Sequence, residues 1–208
     1  RRWDSLMAPA GCDLTQVERI KKTVRIDDVA TLIYTSGTTG NPKGVMLTHR
    51  NISFNVEAMR ILLPMRPGDR GLSFLPVSHV FERVAVYAYI AYGGSISFTG
   101  TDNLGGETGD LQAIQPHFFT CVPRLLEKVY DKIYQKASHL TGIKRRLFFW
   151  AMQLTEKWSF QYEPKGLEAL QWRIAQKLIF SKWRTALGGQ VKGIVTGASA
   201  CPLHIMRV

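Results

Sequence analysis

The stretch with the most chemistry in it is Tyr34-Thr35-Ser36-Gly37-Thr38-Thr39-Gly40-Asn41-Pro42-Lys43-Gly44. Four hydroxyl residues and two glycines fall within the six positions from Thr35 to Gly40, and Lys43 follows. Glycine lets a backbone turn tightly and approach a ligand. Consecutive exposed N–H groups make an anion nest, and hydroxyls add donors to it. With a lysine beside it, such a loop suits a polyphosphate. It is not a Walker A loop, which needs Gly directly before the Lys and Ser or Thr directly after. Here Pro42 precedes Lys43 and Gly44 follows it. An ordinary Ser/Thr/Gly turn is the alternative for the short SGTTG core, and the length of the string argues against it.

Secondary structure must hold this loop in place. Val29 to Tyr34 is a short apolar, partly β-branched run that reads as a buried strand leading into the loop. Another apolar step follows at Val45 to Leu47, and Thr48 is placed to cap a helix reaching about Leu63, where Pro64, Pro67 and Gly68 stop it. Strands are expected at Leu72–Leu75, Ile96–Phe98, Phe118–Val122 and Val191–Val195. Helices are expected at Phe81–Tyr92, around Leu111, and from Pro123, whose ring suits a first helical position. Residues 143–187 read as mostly helical: Ile143, Leu147, Ala151, Leu154 and Trp158 recur at helical spacing, as do Leu167, Leu170, Ile174 and Leu178. Strands alternating with helices imply an α/β fold with a largely parallel sheet.

Composition narrows the classes. The 208 residues are 45% hydrophobic and 21% charged, the proportions of a folded domain with a sizeable core. Lys and Arg number 27 against 16 Asp and Glu, a net charge of +11 that attracts nucleotides, coenzyme A or anionic membranes. No nucleic-acid-binding module is recognisable, so nucleic acid is not an expected partner. Cys12, Cys121 and Cys201 are scattered, with no metal-ligand spacing, which points to reduced thiols and a cytoplasmic setting. No apolar run reaches the roughly 18 residues of a membrane span. Lys144, Arg145 and Arg146 lie beside Leu147 to Trp150. That segment reads either as a basic amphipathic helix on a membrane surface or as a solvated face over core aromatics. The chain opens on Arg1 and closes on Ile205-Met206-Arg207-Val208, so a fragment is expected.

The string YTSGTTGNPKGVMLTHRN resembles the phosphate-binding signature of the AMP-forming adenylating enzymes. The resemblance covers nearly all of residues 25–208. LSFLPVSHVFER (72–83) is similar to the family's second core motif in its fatty acyl form, and QPHFFTCVPRLLEKVYDKI (115–133) to a segment of long-chain acyl-CoA synthetases. The helical stretches TGIKRRLFFWAMQL and KLIFSKWRTALGG resemble an insertion found in long-chain members. KGIVTGASACP (192–202) resembles the turn that contacts adenine and acyl chain, with Thr196-Gly197-Ala198-Ser199 where Gly-Gly-Ala is common.

The resemblance implies part of the large domain of the adenylate-forming fold: a mostly parallel sheet flanked by helices, a helical insertion at about 125–187, and no C-terminal small domain within residues 1–208. It implies that Ser36, Gly37, Thr38, Thr39, Gly40 and Lys43 hold the ATP phosphates and that Thr35 helps coordinate magnesium. His79 would line the carboxylate end of the acyl pocket, with a satisfied buried histidine at a helix start as the alternative. Gly197 and Ala198 would let adenine approach the backbone. Glu82 and Arg83 read as structural, in a local ion pair, and Pro123 and Arg124 as scaffold. The implied reaction activates a long-chain fatty acid with ATP and Mg2+ to an acyl-adenylate, then transfers the acyl group to coenzyme A, releasing AMP and pyrophosphate. The family's magnesium-binding Glu, ribose-binding Asp and catalytic Lys would lie beyond Val208, so the chain alone is expected to be inactive. The rivals are an acyl–acyl carrier protein synthetase and a non-catalytic nucleotide- or acyl-binding module.

Overall fold

The computed structural model describes residues 13–36, 40–100, 103–106, 108–159 and 161–207. The chain divides into two compact units, Arg1–Asn55 and Val56–Val208.

In the first unit, helix α1 (Leu14–Thr23) starts at Asp13, whose carboxylate accepts the N–H groups of Thr15 at 3.0 Å and Gln16 at 3.2 Å. Strands β1 (Val29–Thr35) and β2 (Lys43–Thr48) form an antiparallel hairpin, with Ile33 opposite Val45 and Thr35 opposite Lys43. The expected helix follows as α2 (His49–Leu62), with Thr48 Oγ1 accepting the Asn51 N–H. Arg50 holds Asp27 through two bonds of 2.7 and 2.9 Å. The expectation of a buried β1 is not met. Tyr34 is 69% exposed, and Leu32, Val45 and Met46 are exposed as well. A continuous apolar run marks a strand covered on both faces, whereas a two-stranded hairpin carries no second layer of its own.

The second unit is built on a four-stranded parallel sheet in the order β4–β3–β5–β6: β3 (Arg70–Ser73), β4 (Ser95–Phe98), β5 (Phe118–Cys121) and β6 (Gly193–Thr196). β3 begins two residues earlier than the apolar run suggested, because Arg70 and Gly71 join the ladder opposite Ser95 and Ile96. Adjacent residues of β5 face opposite sides. Phe118 packs with Ala85 and Tyr89 of α3 (Val80–Ala91), and Phe119 packs with Leu72, Leu104 and Leu111, the last from α4 (Asp110–Ile114). The ends of the strands differ in chemistry. At the N-terminal end Asp69 is paired with Lys192, and the Arg70 N–H donates to His117 Nδ1 at 2.9 Å.

Between β5 and β6 the chain is helical: α5 (Pro123–Ser138), α6 (Gly142–Glu156), α7 (Gly166–Ala175), a π-helical segment Gln176–Phe180, and α8 (Ser181–Ala186). A short α9 (Leu203–Met206) follows β6. Pro123 occupies the first helical position as expected. The buried face of α7 is not the aliphatic stripe its spacing suggested. Leu167 is 81% exposed, and Leu170, Ile174 and Leu178 are exposed too. Ala175 and Phe180 are buried, with Trp172 and Trp183 against them, so the larger aromatic surfaces take the interior. Likewise Phe148 is buried against Ala137 and Met152, while Lys144, Arg145 and Arg146 are exposed.

Candidate nucleotide and carboxylate site

The glycine-rich loop is the connection of the β1–β2 hairpin. It leads from strand to strand, where a Walker A loop would lead into a helix. Antiparallel pairing brings Thr35 and Lys43 opposite each other at its mouth, with Thr35 Oγ1 donating to the Lys43 carbonyl at 3.5 Å. Thr35, Ser36, Gly40 and Lys43 are all exposed. Gly40 has φ of +89° with no heavy atom within 4 Å of where a Cβ would stand, so backbone conformation rather than space selects glycine there. Gly37, Thr38 and Thr39 lie outside the described residues.

The other expected site residues, His79, Gly197 and Ala198, belong to the second unit and gather where the parallel strands end. β4 and β5 lie on opposite sides of β3, so the strand order reverses between β3 and β5. In open α/β sheets the crevice outside the carboxyl ends of strands at such a reversal is where ligands bind. His79 is the N-cap of α3 and is exposed, not the buried histidine of the alternative reading. Its Nδ1 accepts the Phe81 N–H at 3.2 Å. In the neutral ring the proton therefore sits on Nε2, which is left as a donor.

Gly197 follows β6, and a Cβ there would meet the Phe81 ring at 2.7 Å. The flat ring that lies against Gly197 is thus a side chain two residues beyond His79, and it ties the β6 turn to the start of α3. Ala198 has φ of +69°, a left-handed conformation unusual for a residue with a Cβ.

Sequence reasoning treated Glu82 as a structural residue and left Ser73 and Thr120 unmarked. Glu82 is fully buried, and Thr120 donates its hydroxyl to Glu82 Oε2. Burial pushes the Glu82 carboxyl above its ordinary range, with Ser73 and Thr120 opposing in part. Ser73 Oγ is buried beside the Glu82 carboxyl and Thr196 Oγ1 beside the Cys121 thiol, each short of full hydrogen-bond geometry. Burial also pushes the Cys121 thiol up, to about 11. Buried polar atoms thus concentrate at the strand ends where His79 and Gly197 lie. The available signal was the polar Glu82 within the apolar face of a helix; its partner is 38 residues away.

The sequence profile described as AMP-binding enzyme matches residues 4–208. The chain belongs to the AMP-binding enzyme family. Within this family it is similar to long chain acyl-CoA synthetase 3 of Arabidopsis thaliana, with 37% identity over 191 residues, which is 87% of this chain and 27% of that protein. It is likewise similar to long-chain-fatty-acid–CoA ligase 1 of Homo sapiens, with 38% identity over 203 residues, 94% of this chain and 28% of that one. The chain therefore spans about a quarter of the length of these relatives. Among solved structures it resembles the adenylation domain of a carboxylate reductase from Mycobacterium chelonae, with a TM-score of 0.53 and 22% identity, covering 86% of this chain and 24% of that one. It also resembles O-succinylbenzoate coenzyme A synthetase from Bacillus subtilis in complex with AMP, with a TM-score of 0.53 and 20% identity over 88% of this chain and 27% of that one. These two likenesses show the α/β fold, a parallel sheet flanked by helices.

Proposed function

We propose that the chain is part of the large domain of a long-chain fatty acid–CoA ligase. The observation that carries this reading is the hairpin with exposed Ser36, Gly40 and Lys43 at the mouth of its loop, in a chain similar over most of its length to long-chain acyl-CoA synthetases. In the first half-reaction a fatty acid carboxylate attacks the α-phosphate of ATP and pyrophosphate leaves. Two anions must meet, so the protein's task is to place positive and dipolar groups on the phosphoryl oxygens. Ser36, Gly37, Thr38, Thr39, Gly40 and Lys43 are the residues for that role. His79, with Nδ1 occupied by its own helix, would donate from Nε2 to a carboxylate oxygen and orient it. Gly197 and Ala198 would form the floor of the adenine site, with the Phe81 ring setting how closely it closes.

Magnesium prefers oxygen ligands and commonly takes one or two from protein and the rest from phosphates and water. Among the described residues no cluster of three or more His, Cys, Asp or Glu could hold a metal alone. The Thr35 hydroxyl donates only a long bond and keeps its oxygen lone pairs, so it suits one such position. The ion would neutralise phosphate charge there.

In the second half-reaction coenzyme A would accept the acyl group. A cytoplasmic setting, with α6 touching an anionic membrane surface through Lys144 to Arg146 and the 77% exposed Ile143, belongs to the same reading. Among the described residues no helix is long and apolar enough to cross a membrane.

Acyl-adenylate trapping tests the reading. A polypeptide of the relatives' length containing this chain is mixed with oleate and α-labelled ATP, as wild type and as Lys43→Ala. Labelled oleoyl-adenylate from the wild type, reduced about 100-fold or more in the variant, is expected. No adenylate from the wild type, or an unaffected variant, removes the proposal.

A further inference from the structure

The helical part of the second unit contains a pocket that the reading above leaves unused. Its volume is about 810 Å³, within the range of small-molecule sites. It lies between the 158–164 connection and the continuous helix formed by α7, the π-helical segment and α8. Trp158, Tyr162 and Trp172 supply aromatic wall, and Arg173, Lys177 and Arg184 supply charge; among the described residues no Asp or Glu lines it. Two acids stand next to lining residues in the chain: Glu168 is paired with Lys157 at 2.9 Å, and Glu163 lies between Tyr162 and Pro164 without being part of the lining.

Three further observations point to a ligand. The pocket's cations belong to a larger bias: between Gly142 and Leu187 nine Lys and Arg stand against three Glu. The helix departs from regular geometry at the pocket itself. Gln176 and Lys177 line it from the π-helical segment Gln176–Phe180, and such departures inside helices occur frequently at functional sites. Finally, Trp172 Nε1 and Tyr162 Oη are buried in the pocket wall, and the contacts of Tyr162 with Glu168 and Trp172 fall short of full hydrogen-bond geometry. Buried donors ordinarily find partners.

We propose that this pocket binds a nucleoside polyphosphate at a site separate in sequence from the hairpin loop. The base lies among Trp158, Tyr162 and Trp172, and the phosphates meet Arg173, Lys177 and Arg184. A flat ring is the part of a ligand that indoles hold well, and stacking tolerates any base. Arginine forks match phosphate oxygens in pairs. Aromatic wall and clustered cations together select a ligand with both a ring and multiple negative charges, over a fatty acid or a simple anion.

The test uses the relatives-length polypeptide and the fluorescent probe N-methylanthraniloyl-ADP, read by energy transfer from tryptophan. Two classes of site are expected. Arg173→Glu with Arg184→Glu should weaken one class at least tenfold and leave pyrophosphate exchange at saturating ATP unchanged. Both arginines are exposed, so the fold should tolerate reversal, and Arg173→Lys with Arg184→Lys should restore most of the binding. Lys43→Ala, which removes the loop site, should leave this class intact, so failure of the proposed function and failure of this inference are separable. A single class of sites abolished by Lys43→Ala, or binding indifferent to the reversed arginines, would overturn the proposal. So would tripolyphosphate competing as well as ADP, since the aromatic wall would then have no part.

Discussion

Glu82 carries a carboxyl group into a fully buried position where Thr120 donates a hydrogen bond to it. Its raised pKa means the folded state prefers the protonated form. That preference contributes stability below the ordinary value of 4.5 and is lost as pH rises through the folded value. Glu82→Gln keeps the shape without the charge. Its thermal midpoint should match wild type near pH 4 and exceed it by a growing margin towards pH 7. A margin that shrinks with rising pH contradicts the buried-acid reading. Thr120→Val removes the hydroxyl that donates to this carboxyl, and chemical denaturation at pH 7 should show a loss of about 1–3 kcal/mol. Lys43 and its loop were legible in the sequence because their chemistry is contiguous. Glu82 was not, because its meaning depends on Thr120 in another strand, which no local pattern reveals.

The β6 turn and the start of α3 constrain each other through Gly197 and Phe81. Gly197→Ala puts a Cβ 2.7 Å from the ring, and the ring must move. Overpacking of this kind costs about 1–3 kcal/mol, measurable as a lower denaturant midpoint. Phe81→Leu in the same chain should recover much of it, and no recovery would mean the ring is not the obstacle. The existence and order of these elements were readable, since Pro and Gly punctuate the chain at Pro64, Pro76, Gly93, Pro123 and Gly188 and apolar runs mark the parallel strands. What each element buries was less readable. The exposed β1 hairpin and the exposed leucines of α7 carry patterns of buried segments, because apolar spacing reports which residues share a face and not what that face meets. In α7 the indole of Trp172 outcompeted the leucine stripe.

Charge and division into units characterise the chain at large. The net +11 is uneven: the helices between Gly142 and Leu187 hold a third of the Lys and Arg but under a fifth of the acids. Nucleotide binding should therefore weaken as salt rises from 50 to 500 mM, beyond what screening of the hairpin loop alone produces, and Arg173→Glu with Arg184→Glu should flatten that dependence. The loop falls in one unit and the strand-end cluster in the other. A chain of a quarter of its relatives' length is not expected to complete thioester formation alone. Pyrophosphate exchange into ATP by the relatives-length polypeptide, across carboxylic acids from acetate to oleate, is the decisive measurement. Exchange that rises steeply with acyl length to palmitate and oleate is the expected result. Exchange confined to short, aromatic or amino acids, or none with any carboxylate, contradicts the assignment of a long-chain fatty acid ligase.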